Sequence, residues 1–201
     1  MQVSSDEGMQ LVGRFLALVL RQAPVAEQLE QLLPLLGELP VELSNPELKQ
    51  AAVLLADYAR EAAGRDLVAE AEALRQDFIA LFEGPGAMGA PPWESVYRTE
   101  EQVLFGPTTF QVRQAYQRWG LGLANPGREP EDHIALELEF LLFLNDRMAA
   151  ESAAAADRDR FLREHLLVWV PPFASLVKDG AVTQFYQGVA KLLLGYLRAL
   201  H

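Results

Sequence analysis

Residues 129–144 read EPEDHIALELEFLLFL, a short acidic segment followed at once by an apolar run. Nine of the eleven residues from Ile134 to Leu144 are apolar, and the two polar ones, Glu137 and Glu139, are two positions apart. An amphipathic surface helix would carry a single apolar stripe, whereas here apolar residues cover nearly every face. The run therefore predicts a central helix that is packed on most sides.

A buried strand is the alternative for any short apolar run, but the length and the flanking residues favour a helix. Pro130 suits the first position of a helix, and Glu129, Glu131 and Asp132 would place negative charge at the positive end of its dipole. We therefore expect the helix to begin at Pro130 and to present an acidic first turn that carries His133.

Composition limits the class of protein. The chain has 201 residues, half of them hydrophobic, which is enough for one large domain or two small ones. Its formal net charge is -11, which argues against nucleic-acid binding because such binding needs a basic patch. An acidic surface is compatible with a basic partner such as an Arg-rich peptide, and equally with plain solubility.

The sequence contains no cysteine, and its three histidines are far apart, so we expect no disulfide, no metal site and no cofactor. The N-terminal residues MQVSSDEG lack the basic region of a signal peptide. No apolar run reaches the roughly eighteen residues of a membrane span. We therefore expect a soluble cytoplasmic protein without stable membrane insertion.

Apolar residues follow helical spacing along almost the whole chain, and no strand-like alternation is convincing. Capping residues predict helix starts at Ser5 or Asp6, at Asn45-Pro46, at Asp66, at Thr99 with Gln102, and at Thr108 or Thr109. Helix ends are predicted at Gly106-Pro107, at Gly120 and at Pro171-Pro172, and a last helix from Val182 to Leu200.

These patterns predict an all-α, bundle-like single domain of roughly nine to eleven helices without a sheet. The irregular stretch 121–128 (LGLANPGR) is the best candidate for a hinge. We therefore expect two helical subdomains, residues 1–120 and residues 129–201.

Sequence motifs for catalysis, phosphate binding or metal binding are weak. The loop Gly84–Gly89 is glycine-rich, but no Gly-Lys-Ser/Thr follows, so it is not a phosphate-binding loop. His133 and Glu137 share a helix face, but the Glu-x-x-His pairs of helical di-iron sites are absent. No Gly-x-Ser-x-Gly motif indicates a nucleophilic enzyme.

Pro91, Pro92, Trp93 and Tyr97 form a more informative group. Aromatic residues beside prolines can build a platform for an extended peptide, and tryptophan is frequent in binding hot spots. The alternative, which stays open, is that Trp93 only anchors the loop to the core.

Together these features resemble the TorD/DmsD family. Residues 81–85 (LFEGP) and 90–97 (APPWESVY) are similar to its first signature, which residues 103–109 (VLFGPTT) continue. Residues 129–133 (EPEDH), opening an apolar run, are similar to its second signature. The two signatures in this order and spacing are specific, and the resemblance extends from about Asp77 onward, the first seventy residues matching only as helices.

Members of this family are all-helical cytoplasmic chaperones for redox-enzyme maturation and carry out no catalysis. The resemblance implies that the protein binds the twin-arginine signal peptide of a molybdopterin oxidoreductase, or its apoprotein. It would hold this client until the cofactor is inserted, and then release it to the Tat export machinery.

The resemblance also implies a peptide-binding groove between the two subdomains. By position, its residues are Leu81, Phe82, Pro85, Pro92, Trp93 and Tyr97 from the first signature, and Glu129, Asp132 and His133 from the second. Glu129 and Asp132 could accept arginine in bidentate geometry, and Trp93, Leu81 and Phe82 could receive an apolar segment. Phe78 and Gly86 stand where some members have tryptophan, which affects peptide specificity.

Two other classes of protein stay open. One is a helical scaffold or adaptor with a different partner, and the other is an all-α metal-dependent enzyme that uses Asp132, His133 and Glu137. For the chaperone, the family implies either a monomer or a homodimer that exchanges helices across the hinge.

Overall fold

A computed structural model describes residues 5–39, 45–84, 87–124, 127 and 129–201. Within these residues the chain forms ten α-helices and no strand, which confirms the all-α prediction. The helices are α1 (Ser5–Arg21), α2 (Ala26–Gly37), α3 (Pro46–Ala62), α4 (Leu67–Phe78), α5 (Glu94–Arg98), α6 (Pro107–Arg118), α7 (Ile134–Arg147), α8 (Ser152–Phe161), α9 (Leu167–Gly180) and α10 (Gln184–Ala199). Two π-helical turns, Ile79–Glu83 and Leu162–Leu166, extend α4 and α8.

The helix starts that rest on side-chain caps agree with the sequence. Asn45 accepts hydrogen bonds from the backbone N–H groups of Glu47 and Leu48, at 3.0 and 3.1 Å. Asp66 accepts one from Val68 at 2.9 Å. Each cap satisfies donors that have no partner inside the helix, which fixes the start of α3 and of α4.

The central position of α7 is also confirmed. This helix packs against α1 on one side and α8 on another, while α10 packs against α3 and α9. Ile134, Leu138, Leu141 and Leu144 are fully buried. One continuous apolar core therefore surrounds α7, as its sequence predicted.

The two halves of the chain are interleaved. Helices α1 and α3 from the first half pack on α7 and α10 from the second. Contacts thus cross the predicted boundary between residues 1–120 and residues 129–201, and the subdomain division stays a prediction. Residues 125, 126 and 128 of the predicted hinge lie outside the described residues.

The predicted start of the central helix at Pro130 is wrong. The helix begins at Ile134, and His133 is its N-cap, with Nδ1 accepting the backbone N–H of Ala135 at 3.1 Å. Glu131 and Asp132 form a turn instead, and the segment pairs through backbone hydrogen bonds with residues 92–94.

The predicted helix between Thr99 and Gly106 is also absent. Thr99 ends α5, and its hydroxyl donates to the backbone oxygen of Ser95 at 3.0 Å rather than capping a new helix. Gln102 and Phe105 have φ values of 51° and 58°, in the left-handed region that a right-handed helix excludes.

The N-cap of helix α6 lies two or three residues before the predicted caps, Thr108 or Thr109. Gly106 is the N-cap and Pro107 the first helical residue, so Thr108 and Thr109 lie buried in the first turn. At the other end Gly120, with φ of 69°, follows the C-cap as predicted.

The predicted stop at Pro171–Pro172 is wrong as well, since α9 continues through both prolines. Trp169, Val170 and Phe173 are fully buried on either side of the pair. Their burial offsets the helical hydrogen bonds that the two prolines remove. The π-helical turn before α9 shows that the helix is already irregular there. Among the described residues, no helix combines the length and apolar character needed to cross a membrane.

Candidate functional site

The two signature regions meet through backbone hydrogen bonds between a first segment (residues 92–95) and a second segment (residues 129–134). The Ile134 N–H donates to the Pro92 oxygen at 2.9 Å, and the Glu94 N–H donates to the Asp132 oxygen at 3.0 Å. These bonds form an isolated antiparallel bridge. The structure therefore brings together, in one place, the two segments that the sequence analysis assigned to one site.

Asp132 locks this junction from the inside. Its side chain is fully buried. One carboxylate oxygen accepts the Ser95 N–H at 2.7 Å, and the other accepts the Thr109 hydroxyl at 2.9 Å. Asp132 thus ties α5, α6 and the second segment together. The expectation that it binds a leader arginine does not fit this geometry, because both oxygens are buried and already accept protein donors.

Trp93 and His133 pack against each other at the junction. Their ring centroids are 5.5 Å apart in an edge-to-face arrangement. Trp93 is only partly buried, and its indole N–H makes no hydrogen bond to the described residues. Burial, together with the positive charge of Arg21, lowers the pKa of His133 to about 3. His133 is therefore neutral at pH 7, as its role as a hydrogen-bond acceptor at the helix start requires.

Glu129 lies at the surface and binds a guanidinium. Arg21, the last residue of α1, donates two hydrogen bonds to its carboxylate, at 2.5 and 2.8 Å. The Arg21 and Glu129 side chains are 39% and 34% exposed. This parallel fork is the geometry expected for an arginine that binds a carboxylate.

A second carboxylate, Glu139 of α7, interacts electrostatically with Arg21 and Glu129. Burial raises the pKa of Glu139, while the positive charge of Arg21 lowers it and the negative charge of Glu129 raises it further. The three side chains therefore interact electrostatically. We refer to Glu129 and Glu139 as the acidic rim.

An open depression of about 270 Å³ adjoins Glu139. Apolar groups from α6, the loop after it and α7 supply most of its wall. Its other lining residues are Tyr116, Leu121, Gly122, Leu123, Leu136, Phe140 and Phe143. The site thus combines carboxylates with an adjacent apolar depression.

Beneath the junction lies a buried acidic network formed by Glu94, Asp132 and Glu137. Arg98 donates to one oxygen of Glu94 at 2.7 Å, and His165 Nδ1 lies 2.7 Å from the other. Glu137 accepts the Trp169 indole N–H at 3.1 Å. Burial, and then the negative charge of Glu94, raises the pKa of Glu137 well above its ordinary value. Glu137 therefore holds its proton more strongly than an ordinary glutamate does.

Leu81 and Phe82, predicted to contact a peptide, lie in the core. They are 1% and 2% exposed. The Phe82 ring is 5.0 Å from that of Phe78 and 5.8 Å from that of Tyr186. In the described structure these side chains therefore support the site from within and present no surface.

The other predicted residues of the first signature differ in exposure. Pro92 is buried, and Tyr97 is partly buried with its ring 5.4 Å from Trp169. Pro85 and Gly86 lie outside the described residues. Trp93 is thus the described first-signature residue that combines partial exposure with contact to the second segment.

Sequence reasoning did not identify Arg21 and did not assign Glu139 to the site. Arg21 stands 108 positions before Glu129 and reads only as a basic residue at a helix end. Glu139 stood out in the sequence as an acidic residue within an apolar helix. Sequence alone did not show whether its side chain is exposed, because exposure depends on how the helix packs.

The alternative of a metal enzyme receives no geometric support. Among the described residues, no group of three or more His, Asp or Glu side chains is placed to hold a metal ion. His133 Nδ1 and both Asp132 oxygens already bond to protein donors.

Comparison with known proteins places the all-helical fold and the paired segments in a family. The family model described as "Nitrate reductase delta subunit" matches residues 41–175. The chain belongs to this family, which includes the TorD and DmsD chaperones.

Curated relatives match about three fifths of the chain. The Tat proofreading chaperone DmsD of Salmonella typhi is 36% identical over 121 residues, 60% of this chain and 57% of its own length. The chaperone TorD of Vibrio cholerae is 31% identical over 131 residues, 62% of this chain and 59% of its own. The chain thus spans a little over half the length of these relatives.

A solved structure shares the fold. A redox enzyme maturation protein from Archaeoglobus fulgidus superposes with a TM-score of 0.54. The match covers 96% of this chain and 93% of the other, at 20% identity. At this identity the similarity establishes the all-helical architecture alone.

Proposed function

We propose that the protein is a cytoplasmic chaperone that binds the twin-arginine signal peptide, the apoprotein, or both, of a molybdopterin oxidoreductase. It assists cofactor insertion and proofreads the client before Tat export, and it carries out no chemistry itself. The observation that carries this proposal is the partly exposed Glu129 carboxylate, which binds a guanidinium in bidentate geometry close to the junction of the two segments.

The order of groups in a twin-arginine leader matches the site. The leader offers two guanidinium groups and then an apolar segment. The acidic rim supplies carboxylates for the first, and the depression of about 270 Å³ beside Glu139 supplies apolar contact for the second. The net charge of -11 adds long-range attraction for a cationic peptide.

Within this proposal the predicted residues divide into two roles. Glu129 accepts a leader arginine, and Trp93 and His133 form the wall beside it. Asp132, Pro92, Leu81 and Phe82 hold that wall in place. Pro85 and Tyr97 stay predicted members of the groove.

The proposal is tested by calorimetric titration with synthetic leaders that carry Arg-Arg, beside matched peptides that carry Lys-Lys. We expect a dissociation constant of about 1 μM or tighter for Arg-Arg leaders. Lysine presents a point charge without the planar fork, so the Lys-Lys peptide should bind much more weakly.

Trp93→Ala serves as the second arm, since it removes the ring that contacts His133 while leaving the buried Asp132 bonds intact. We expect weaker leader binding and a circular dichroism spectrum like that of the wild type. Equal affinity for Arg-Arg and Lys-Lys leaders, or no binding across a broad leader panel, would contradict the proposed function.

A further inference from the structure

Two arginine–carboxylate forks occur two residues apart in the second segment, and they differ in exposure. Glu131 accepts two hydrogen bonds from Arg113, at 2.6 and 3.0 Å, and its side chain is only 3% exposed. Glu129 accepts two from Arg21 at the surface. The same chemistry thus appears once as part of the interior and once at the site.

The burial of each carboxylate decides whether its fork can open. Breaking the fork at Glu131 would strand a charge inside the protein, which is costly. Exposed ion pairs add little to stability, because water and salt screen them and solvate the separated partners. Opening the fork at Glu129 therefore costs little, provided that another guanidinium takes the place of Arg21.

Arg21 competes with an approaching leader for the Glu129 carboxylate. Its guanidinium occupies the hydrogen-bonding positions of Glu129 that a leader arginine would use, and its charge also acts on Glu139. A cationic peptide therefore meets a rim that is already partly neutralised.

Resting on the function proposed above, we propose that Arg21 is an internal stand-in for a leader arginine. In the free protein Arg21 holds the Glu129 carboxylate. On binding, one guanidinium of the leader replaces it. The leader thus exchanges one ion pair for another, and Arg21 sets the affinity and the salt dependence of recognition.

The first test compares Arg21→Gln with Arg14→Gln for binding of an Arg-Arg leader. Both variants remove one positive charge from α1, but Arg14 pairs with Asp146 at 3.7 Å and not with Glu129. We expect Arg21→Gln to bind the leader roughly two- to five-fold more tightly than Arg14→Gln, the range that an exposed ion pair contributes. Its affinity should also fall more steeply with salt, because binding now creates a net ion pair.

The second test repeats Arg21→Gln in a Glu129→Gln background. If Arg21 acts through Glu129, the gain in affinity disappears there, so the two substitutions are coupled. An unchanged gain would overturn the inference, since Arg21 would then act only through long-range charge. Equal or weaker leader binding by Arg21→Gln than by Arg14→Gln would overturn it as well.

A spectroscopic measurement on the wild-type protein tests the inference without any substitution. In the wild-type protein, the side-chain Nε–H resonance of Arg21 should shift when an Arg-Arg leader is added, as Arg21 leaves Glu129. Leader binding without that shift would overturn the inference while leaving the chaperone function standing. Absence of leader binding to the wild type would instead remove the proposed function, and this inference with it.

Discussion

The buried acidic network and the acidic rim come from neighbouring parts of the chain but differ in their partners. Asp132 and Glu137 face inward, where a backbone N–H and a hydroxyl satisfy Asp132 and the Trp169 indole N–H donates to one oxygen of Glu137. Glu129 and Glu139 face outward, and the partner of Glu129 is another exposed side chain. A buried carboxylate must find fixed donors inside the protein, whereas an exposed one can exchange its partner.

In this site, burial and not residue type distinguishes the carboxylates that stabilise the structure from those that are available for binding. All four residues lie within eleven positions, and all four are acids. If the distinction holds, substitutions in the network should change stability and substitutions in the rim should change binding.

The largest expected effect is the loss of stability in Asp132→Ala. The change leaves the Ser95 N–H and the Thr109 hydroxyl buried without an acceptor. We expect about 3–5 kcal/mol of destabilisation, as for the removal of one partner from a buried charged contact. The free energy of unfolding from urea denaturation measures it.

If Asp132→Ala fails to fold, Asp132→Asn provides the measurement, because the amide still offers one acceptor oxygen. We expect a smaller loss of about 1–3 kcal/mol. A variant with wild-type stability but weakened leader binding would place Asp132 in the recognition surface and break the comparison.

The second prediction concerns the loss of stability at low pH. The pKa of His133 is lowered to about 3 in the folded protein, against an ordinary value of about 6.5. The unfolded chain therefore binds a proton between these values that the folded protein does not. Stability from this group is complete above pH 6.5 and is lost as pH falls, by about 2 kcal/mol at pH 5.

His133→Asn isolates this contribution, since asparagine retains an N-cap acceptor but does not titrate. Between pH 7 and pH 5 the variant should lose about 2 kcal/mol less unfolding free energy than the wild type. Identical losses in both proteins would show that His133 is accessible to protons in the folded state.

The third prediction concerns the rim. Glu129→Gln should weaken binding of an Arg-Arg leader by roughly tenfold, about 1.4 kcal/mol, through loss of a charge-assisted fork. Its effect on stability should stay below about 1 kcal/mol, because the pair with Arg21 is exposed. A large loss of stability with unchanged affinity would reverse the roles assigned to Glu129 and Asp132.

Local features of the fold were predictable from the sequence. Asn45 and Asp66 mark helix starts because the N–H groups that they cap lie within three residues. Tertiary packing decided the cases that failed. Burial on both sides of the Pro171–Pro172 pair stabilises the continuous helix α9. The segment before Ile134 is not helical, because it pairs with residues 92–94.

The candidate site was predictable in its segments but not in the orientation of its side chains. Sequence assigned the same role to Glu129 and Asp132, since residue type does not reveal burial. The bridge between the two segments turns Asp132 toward Ser95 and leaves Glu129 at the surface. Arg21 could not be found, because its contact with Glu129 spans 108 positions.

The last prediction is a gain in stability, in Glu137→Gln. Burial and the charge of Glu94 raise the pKa of Glu137 well above its ordinary value, so the folded protein keeps a proton that the unfolded chain releases above about pH 4.5. Stability from this group therefore falls as pH rises, opposite in sign to His133.

Glutamine mimics the protonated carboxyl and can still accept the Trp169 indole N–H. The variant should be more stable than the wild type at pH 8, and the gain should shrink toward pH 5. Lower stability at every pH would mean that Glu137 is ionised, and that the network beneath the site is held by charge rather than by shared protons.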